Sequence, residues 1–411
     1  MSEIALIGIG MGTWRSMTVE AKEFCDNADL LIGAGRMLDA VEDGKQERVR
    51  EYLPDRVAAC IAGHPDAERI AILMSGDIGF YSGARKLLEK LPADVRVMPG
   101  ISSVVYFCSQ LQTAWDDLKL TSSHGASCNL IGEIRRNRKV FSILGKGDAA
   151  AELCRKLCFY EMENVVVHIG ENLGYPEEKI LTGAPSDFTD YAGTPLSVVL
   201  VENPAPFQVL THGIPDEAFL RDKVPMTKEE VREISLSKLR LTENSVIYDV
   251  GAGSGSVSIE CALQAVQGQV YAVEKNPTAV QLLHANKKKF CADNLTIVEG
   301  LAPEALEDLP VATHAFIGGS SGNMAQILEL LLKKNPEIRV VVNAITLETV
   351  HEALEAFKNL PFTNEDVVSV SAAKSKQVGR YHMMMGQNPV YVISADGKRP
   401  DASAAEASFG E

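Results

Sequence analysis

The chain has 411 residues and a formal net charge of −15, with 46% hydrophobic and 23% charged residues. This length predicts two domains, and the acidic balance argues against general nucleic-acid binding, which requires a basic face. No uncharged apolar run reaches the roughly 18 residues that span a bilayer, and the N-terminus "MSEIALIGIGMG" lacks the basic start of a signal peptide. We therefore expect a cytoplasmic protein without a membrane segment.

Cysteines and histidines are dispersed along the chain, eight of each, and no Cys-x-x-Cys motif occurs. Cys154 and Cys158 lie one helical turn apart, a spacing that favours packing in a core over metal binding. We expect no metal site.

The first half alternates predicted strands and helices, which indicates α/β architecture. The strands are "EIALIGIG", "DLLIG", "ERIAILMSG" and the closing "PLSVVLVEN", and the helices are "TVEAKEFCDNA" and "GFYSGARKLLEKL". The prolines of the following "PAPFQ" cannot sit in a continuing ladder. We therefore predict a first domain over 1–204 and a linker over 205–212.

A second α/β series begins with the predicted helix "MTKEEVREISLSKL" and continues through strands and helices to "RVVVNAI". The stretch "YHMMMGQNPVYVIS" is predicted to form a closing antiparallel hairpin. The pattern indicates a doubly wound sheet over 213–395, with ligands at the carboxyl ends of its strands. Residues 396–411 lack an apolar period and are predicted to be a disordered tail.

The stretch "DVGAGSGSVSIE" places glycines at 251, 253 and 255. A dinucleotide fingerprint requires its third glycine at 256, so the observed spacing is instead typical of methyltransferases that bind S-adenosylmethionine. Asp249 precedes the turn, where we expect it to help hold the ammonium of the methionine moiety, directly or through water. Glu274 ends the next predicted strand, where a carboxylate can accept hydrogen bonds from both ribose hydroxyls.

The first half has its own glycine motifs, "GIGMG" at 8–12, "SGDIGFYSGA" at 75–84 and "PGISS" at 99–103. Each follows a predicted strand, so we expect them to gather at one edge of a sheet. No acidic residue stands at the end of the second predicted strand. We therefore do not predict a nucleotide-binding turn at the "GIGMG" motif.

On these motifs, residues 1 to about 204 resemble the tetrapyrrole methylase family of cobalamin biosynthesis, with its "GIGPG", "GDPGFYG" and "PGISS". Residues 213–395 resemble the carbon-15 methylating and decarboxylating family of the same pathway, in which "GIPD.F", "P.TKEEVR", "DVGAGSGSVSIE", "APEAL", "FIGGS" and "VNAITLET" recur in this order. The resemblance implies an N-terminal tetrapyrrole methylase fold of two α/β subdomains, followed by a Rossmann-like class I methyltransferase fold.

The resemblance also implies two S-adenosylmethionine sites. In the first domain the matching positions are Gly76, Asp77 and Ile78 of the "GDP" loop, and Ser102 and Ser103 of "PGISS". In the second domain they are Thr227 of "P.TKEE", the glycine-turn residues Gly251, Ala252, Gly253, Ser254 and Gly255, the ribose carboxylate Glu274, and Ala302 near the adenine. The implied reactions are methylation of carbons 5 and 15 of a tetrapyrrole and decarboxylation of the ring C acetate.

Four positions depart from the family patterns. Met11 and Ile78 replace prolines, which changes loop stiffness. Ala126 stands where the family usually has an arginine, so we expect a substrate carboxylate contact to be weaker. Leu301 stands where many such methyltransferases place an acidic residue against the adenine amine.

The substrate-positioning candidates are polar residues near the predicted strand ends. In "KSKQVGRYHMMMG" they are Lys374, Lys376, Arg380, Tyr381 and His382. We expect Asn343 and the glycines of "FIGGSSG" to line the mouth of the same substrate site. In the first domain the candidate is His124. Arg380 is suited to bidentate binding of a peripheral carboxylate, and the alternative is a solvated basic loop.

Two other functions stay open at this point: a methyltransferase acting on RNA or protein, and a non-catalytic module that binds the cofactor. The acidic balance disfavours the first, and the glycines in both halves disfavour the second. We expect a small-molecule tetrapyrrole as partner and, because the second-domain family is often oligomeric, a homo-oligomer.

Overall fold

The computed structural model describes residues 2–42, 44–123, 128–207 and 213–398. Contacts divide the chain into two compact units, the first comprising Met1–Leu130 with Asn137–Pro206 and the second Ile131–Arg136 with Phe207–Glu411. The change between Pro206 and Phe207 falls within the predicted linker, whereas the grouping of 131–136 with the second unit was not predicted. Among the described residues, no helix is long and apolar enough to cross a bilayer.

The first unit begins with a parallel five-stranded sheet. Its strands and helices are β1 Glu3–Gly8, α1 Val19–Asp26, β2 Leu30–Gly33, α2 Gly35–Leu38, β3 Glu47–Arg50, α3 Pro54–Ala62, β4 Arg69–Met74, α4 Ala84–Leu88, β5 Arg96–Met98 and α5 Ser103–Gln110. The strand order is β3-β2-β4-β1-β5. The inner strand β1 is apolar on both faces because helices cover both sides of the sheet.

The predicted helix "GFYSGARKLLEKL" is shorter than expected, since α4 covers only Ala84–Leu88. Tyr81 has a φ of +46° in the left-handed region, which interrupts a right-handed helix. Residues 79–83 therefore form a loop that follows β4, and residues 80–83 of this loop line a cavity described below.

The first unit continues with a second, mixed sheet. Its elements are β6 Lys119–Ser122, β7 Lys139–Leu144, α7 Ala149–Phe159, β8 Val166–Glu171, β9 Lys179–Gly183 and β10 Ser197–Glu202, while the intervening α6 Leu130–Arg136 falls largely in the second unit. The order is β6-β7-β10-β8-β9, and only β6 and β7 pair in parallel. Two sheets in the first unit match the predicted pair of α/β subdomains.

The second unit is built on a seven-stranded sheet with helices on both faces. Its elements are α8 Glu229–Leu239, β11 Val246–Val250, α9 Ser256–Gln264, β12 Gln269–Glu274, α10 Pro277–Lys289, β13 Leu295–Glu299, β14 His314–Ile317, α11 Met324–Lys334, β15 Arg339–Ala344, α12 Leu347–Asn359, β16 Phe362–Val370, β17 Ala373–Val378, β18 Tyr381–Gly386 and β19 Val390–Gly397. The order is β13-β12-β11-β14-β15-β19-β16. The sheet is parallel except for β19, which is antiparallel to both neighbours. The predicted fold class is confirmed.

The predicted closing hairpin is wrong in its pairing. Strand β18 pairs with β17 in a separate two-stranded ribbon, whereas β19 joins the main sheet between β15 and β16. Gly379, with a φ of +60°, makes the two-residue turn that joins β17 to β18. Strand β19 joins the main sheet because it supplies Val392 and Ile393 to the core, whereas every residue of β18 is exposed.

The predicted tail begins too early. Asp396 and Gly397 belong to β19, where Asp396 accepts a hydrogen bond from Arg339 at 2.5 Å. The rest of the predicted tail from 399 onward lies outside the described residues.

Candidate cofactor sites

The larger cavity, of about 820 Å³, lies in the second unit at the carboxyl ends of β11, β12, β14 and β15. The strand order reverses between β11 and β14, and such a reversal opens a crevice in which doubly wound sheets bind ligands. The segments 224–228 and 300–302 and residues around 387–390 complete the wall. The position is the one that the sequence predicts.

The glycine turn after β11 needs glycine for steric reasons. Gly251, Gly253 and Gly255 have φ values of +73°, +56° and +79°, which L side chains rarely adopt. A Cβ atom at Gly251 would lie 2.8 Å from the carbonyl oxygen of Gly319, and one at Gly253 would lie 2.9 Å from that of Pro225. The turn therefore brings bare backbone to the cavity.

Only part of this turn lines the cavity. Gly251, Ala252 and Gly253 face it, whereas Ser254 and Gly255 lie behind them and are not among its lining residues. A side chain at Gly255 would collide with Leu283 of α10, so this glycine serves packing. The set of turn residues that lines the cavity is thus narrower than the predicted set, which comprised all five residues 251–255.

Glu274 ends β12 and lines the cavity. Its Oε2 atom accepts a hydrogen bond from the Gly253 amide at 2.8 Å, and its Oε1 atom accepts one from the Asn276 amide, also at 2.8 Å. Each carboxylate oxygen retains further lone-pair capacity. The carboxylate is therefore oriented by backbone amides and can still accept hydrogen bonds from a diol.

Asp249 is placed differently from the prediction. It is only 1% exposed, accepts a hydrogen bond from the Ser258 hydroxyl and is not among the cavity-lining residues. Burial raises the pKa of its carboxyl to about 7. Because its carboxylate is bonded to Ser258 and does not line the cavity, the structure gives Asp249 no direct contact with a ligand in that cavity.

Thr227, Ala302 and Asn343 line the cavity with the glycine turn. The Ser235 hydroxyl donates a hydrogen bond to the Oδ1 atom of Asn343 at 3.0 Å. The buried Nδ2 atom of Asn343 has no hydrogen-bond partner among the described residues. The Ala302 carbonyl accepts a hydrogen bond from Asn323 at 2.9 Å. Leu301 also lines the cavity.

A buried ionic cluster that the sequence did not reveal holds the 224–228 segment in place. Arg232 of α8 is fully buried, and its guanidinium donates to the Thr227 carbonyl at 2.6 Å. It also contacts Glu260 at 2.5 Å and Asp216 at 3.2 Å. An arginine on the apolar face of a predicted helix, with acids in two flanking motifs, is the signal that could have indicated this cluster.

The polar ribbon residues do not share this cavity. Arg380 and His382 are exposed on the ribbon of β17 and β18, and neither lines the cavity, nor do Lys374, Lys376 and Tyr381. Lys374 contacts Glu229 at 3.3 Å and Glu230 at 2.9 Å. The expected common mouth with Asn343 is wrong, because the ribbon is a separate sheet whose second strand is exposed along its whole length.

The first unit contains a smaller cavity, of about 270 Å³, lined by residues of both its sheets. The glycine motifs meet beside it: Gly10 and Gly76 exchange backbone hydrogen bonds of 3.1 and 2.9 Å. A Cβ atom at Gly8 would lie 2.7 Å from both the Gly100 amide nitrogen and the Gly76 carbonyl oxygen. The predicted gathering of these motifs at one edge is confirmed.

Of the positions expected to bind cofactor in the first unit, Gly76, Asp77 and Ser103 line this cavity. Asp77 links the two loops, because its carboxylate accepts hydrogen bonds from the amides of Gly79 at 2.9 Å and Gly100 at 3.2 Å. Ile78 is instead buried in the core, and the side chain of Ser102 caps α5.

Two positions from the sequence analysis, His124 and Ala126, lie outside the described residues. Within the described part of the chain, no group of three or more histidine, cysteine or acidic residues is arranged to hold a metal ion. The larger cavity fits S-adenosylmethionine, since it combines a turn with only one small side chain, that of Ala252, with a half-buried carboxylate at the end of the adjacent strand.

This fold and this site define a methyltransferase that uses S-adenosylmethionine. Residues 217–396 match the family model described as a precorrin methyltransferase domain, and residues 3–188 match that of tetrapyrrole (corrin/porphyrin) methylases. The chain belongs to the precorrin methyltransferase family, as the resemblance of the motifs predicts.

Each of three similar proteins matches slightly less than half of the chain. A probable cobalt-precorrin-6B C(15)-methyltransferase (decarboxylating) of Pyrobaculum calidifontis is 43% identical over 188 residues, which are 45% of this chain and 96% of that protein. The cobalt-precorrin-6B C(15)-methyltransferase (decarboxylating) of Salmonella typhimurium is 40% identical over 181 residues, 44% of this chain and 93% of that protein. A solved structure of a precorrin-6Y C5,15-methyltransferase from Geobacter metallireducens is 41% identical, with a TM-score of 0.43. The match covers 46% of this chain and 97% of the chain in that structure.

Proposed function

We propose that the chain is a bifunctional enzyme of cobalamin biosynthesis with two S-adenosylmethionine sites. It methylates carbons 5 and 15 of precorrin-6Y or precorrin-6B, or of the cobalt form, and decarboxylates the ring C acetate to give precorrin-8 or its cobalt form. The observation that carries this proposal is a cavity beside a glycine loop in each of two units that match two different methylase families.

The second unit is assigned the carbon-15 reaction. When bound, S-adenosylmethionine supplies an electrophilic methyl group. Glu274 is positioned to accept hydrogen bonds from the ribose, and the turn at 251–253 allows close approach of the nucleoside and the methionine chain. An electron-rich carbon needs little activation, so catalysis rests on alignment and on exclusion of water.

Asn343 is the polar group that we assign to substrate positioning at this site. Contact with Ser235 restricts its amide, and its unpartnered Nδ2 leaves hydrogen-bonding capacity at the cavity. Arg380 and His382 remain candidates for contacts with the periphery of a large macrocycle, because they are exposed on the adjacent ribbon. His124 is the corresponding candidate for the first site.

The first unit is assigned the carbon-5 reaction. Gly76, Asp77 and Ser103 line its cavity and are the proposed cofactor contacts, with Ile78 and Ser102 supporting the two loops from behind. Asp77 acts by holding these loops together through two amide hydrogen bonds.

Mass spectrometry of the product tests the proposal. The purified full chain is incubated with S-adenosylmethionine and precorrin-6B, with and without cobalt. We expect a gain of two methyl groups and the loss of one carbon dioxide, and the preferred precursor identifies the metal state of the substrate. No mass change with either precursor, in a protein that binds S-adenosylmethionine by calorimetry, would refute the assigned substrate.

We also propose that the chain forms a homo-oligomer through the ribbon of β17 and β18. Five large apolar side chains are exposed there, namely Val378, Tyr381, Met383, Met384 and Met385, and such patches mark interaction surfaces. Light scattering coupled to size exclusion should give a multimer for the wild type. Replacing the three methionines by serine should give a monomer, and a wild-type monomer would refute the proposal.

A cytoplasmic location is proposed from the cysteines. Six of them are free thiols, namely Cys25, Cys60, Cys108, Cys154, Cys158 and Cys261, which is typical of a reducing compartment. Fractionation of cells that express the chain tests this, and recovery outside the cytoplasm would refute it.

A further inference from the structure

Lys275 lies at the mouth of the larger cavity, directly after Glu274 at the end of β12. Its ammonium donates a hydrogen bond to the Ser321 hydroxyl at 2.9 Å. Ser321 belongs to the loop that follows β14, and β11 lies between β12 and β14 in the sheet. The side chain of Lys275 therefore reaches across the end of β11, over the glycine turn.

The ionisable groups that line this cavity, within the described ranges, are two lysines and two glutamates: Lys228, Glu274, Lys275 and Glu352. Lys228 lies 3.7 Å from Asp216, a carboxylate that it shares with Arg232. Lys275 has no carboxylate within ion-pair distance in the described part of the chain. It is therefore the cavity cation whose charge is least neutralised by the protein.

The loop that contacts Lys275 has an unusual backbone. Ser321 has a φ of +54° and Gly322 one of +86°, and a non-glycine residue in this region marks a backbone held by its surroundings. The hydroxyl of Ser321 engages one of the three donors of the ammonium. The arrangement orients the lysine and leaves its other donors available to a ligand.

We propose that Lys275 binds a peripheral carboxylate of the tetrapyrrole at the carbon-15 site, with Ser321 as a positioning residue. This inference rests on the proposed function, in which the substrate carries several carboxylates. The chain has a net charge of −15, so its overall field repels such a substrate. A cation at the mouth supplies the local attraction that the field lacks.

Steady-state kinetics of carbon-15 methylation test this role in the full chain. For Lys275→Gln we expect KM for precorrin-6B to rise roughly tenfold, as for loss of one charge-assisted hydrogen bond, with kcat unchanged. Lys275→Arg should restore most of the affinity, and Ser321→Ala should raise KM less. Lys333→Gln is the matched control, because Lys333 is an exposed lysine in the last turn of α11 and does not line the cavity.

Calorimetry supplies a readout that does not depend on turnover. The dissociation constant of precorrin-6B, measured with S-adenosylhomocysteine present, should rise with KM in Lys275→Gln and become less sensitive to salt. The dissociation constant of S-adenosylmethionine should stay within about twofold, since ribose recognition depends on Glu274.

Two outcomes would overturn the assignment. An unchanged affinity for the tetrapyrrole would show that Lys275 does not contact it. A loss of S-adenosylmethionine affinity at constant KM would place the cofactor's own carboxylate on Lys275. Failure of the wild type to bind or convert precorrin-6B is a different result and would refute the proposed function itself.

Discussion

Replacing Glu274 by glutamine tests the second cofactor site most directly. The carboxylate accepts two backbone hydrogen bonds, from Gly253 and Asn276, each at 2.8 Å, and is proposed to accept further ones from the ribose. A glutamine has one acceptor oxygen, and its amino group would face a backbone N–H. The side chain must then give up either an amide contact that shapes the turn or a contact with the ribose.

The expected loss follows from these contacts. A hydrogen bond to a charged group contributes roughly 1.5–3 kcal/mol. Loss of one such bond should weaken S-adenosylmethionine binding by about 2 kcal/mol, which corresponds to a rise of about 30-fold in the dissociation constant. The fold should persist, because Glu274 is only half buried and the substitution preserves volume.

Calorimetric titration of the full chain with S-adenosylmethionine measures this effect. The site in the first unit serves as an internal reference, so one dissociation constant should rise and the other should stay constant. Glu299→Gln is the matched control, since Glu299 pairs with Glu274 in register at the end of the neighbouring strand but is exposed outside the cavity. Equal weakening of both sites, or weakening no greater than in the control, would refute the reasoning.

Four further predictions concern the same unit. Gly253→Arg should abolish carbon-15 methylation and spare carbon-5 methylation, because its Cβ would lie 2.9 Å from the Pro225 carbonyl oxygen and its side chain would fill the turn; product mass spectrometry measures both, and retained carbon-15 methylation contradicts the site. The Asp249 carboxyl has a pKa raised to about 7 from 3.8, so the folded state binds more protons than the unfolded state. Relative to Asp249→Asn, wild-type stability in urea unfolding should therefore fall by roughly 1.4 kcal/mol per pH unit as pH rises between these values. Burial lowers the pKa of His314 to about 4, so the unfolded state binds more protons here. Relative to His314→Asn, wild-type stability should therefore rise with pH between about 4 and about 6.5. Arg232→Met should cost about 3–5 kcal/mol in urea unfolding, because Asp216 and Glu260 would remain buried without a cation; a cost under about 1 kcal/mol would argue against the cluster.

Local requirements made much of this protein predictable. The glycine spacing at 251–255 and the acid at 274 belong to one continuous strand–turn–helix–strand segment, so their relation depends on backbone geometry within that segment. Alternation of buried strands with amphipathic helices likewise indicates a doubly wound sheet, because parallel strands need crossover helices. Fold class, cofactor class and the position of Glu274 therefore followed from sequence.

Tertiary packing decided the remaining features. Whether β18 pairs with β17 or β19 depends on which strand the core can bury. The local sequence "YHMMMGQNPVYVIS" does not determine this. The same holds for Asp249, which is bonded to Ser258 and does not line the cavity. The contacts of Arg232 and the bond between Lys275 and Ser321 join segments far apart in the chain. Such contacts depend on which elements become neighbours in the folded protein, and this is settled by long-range packing rather than by the local pattern of residues.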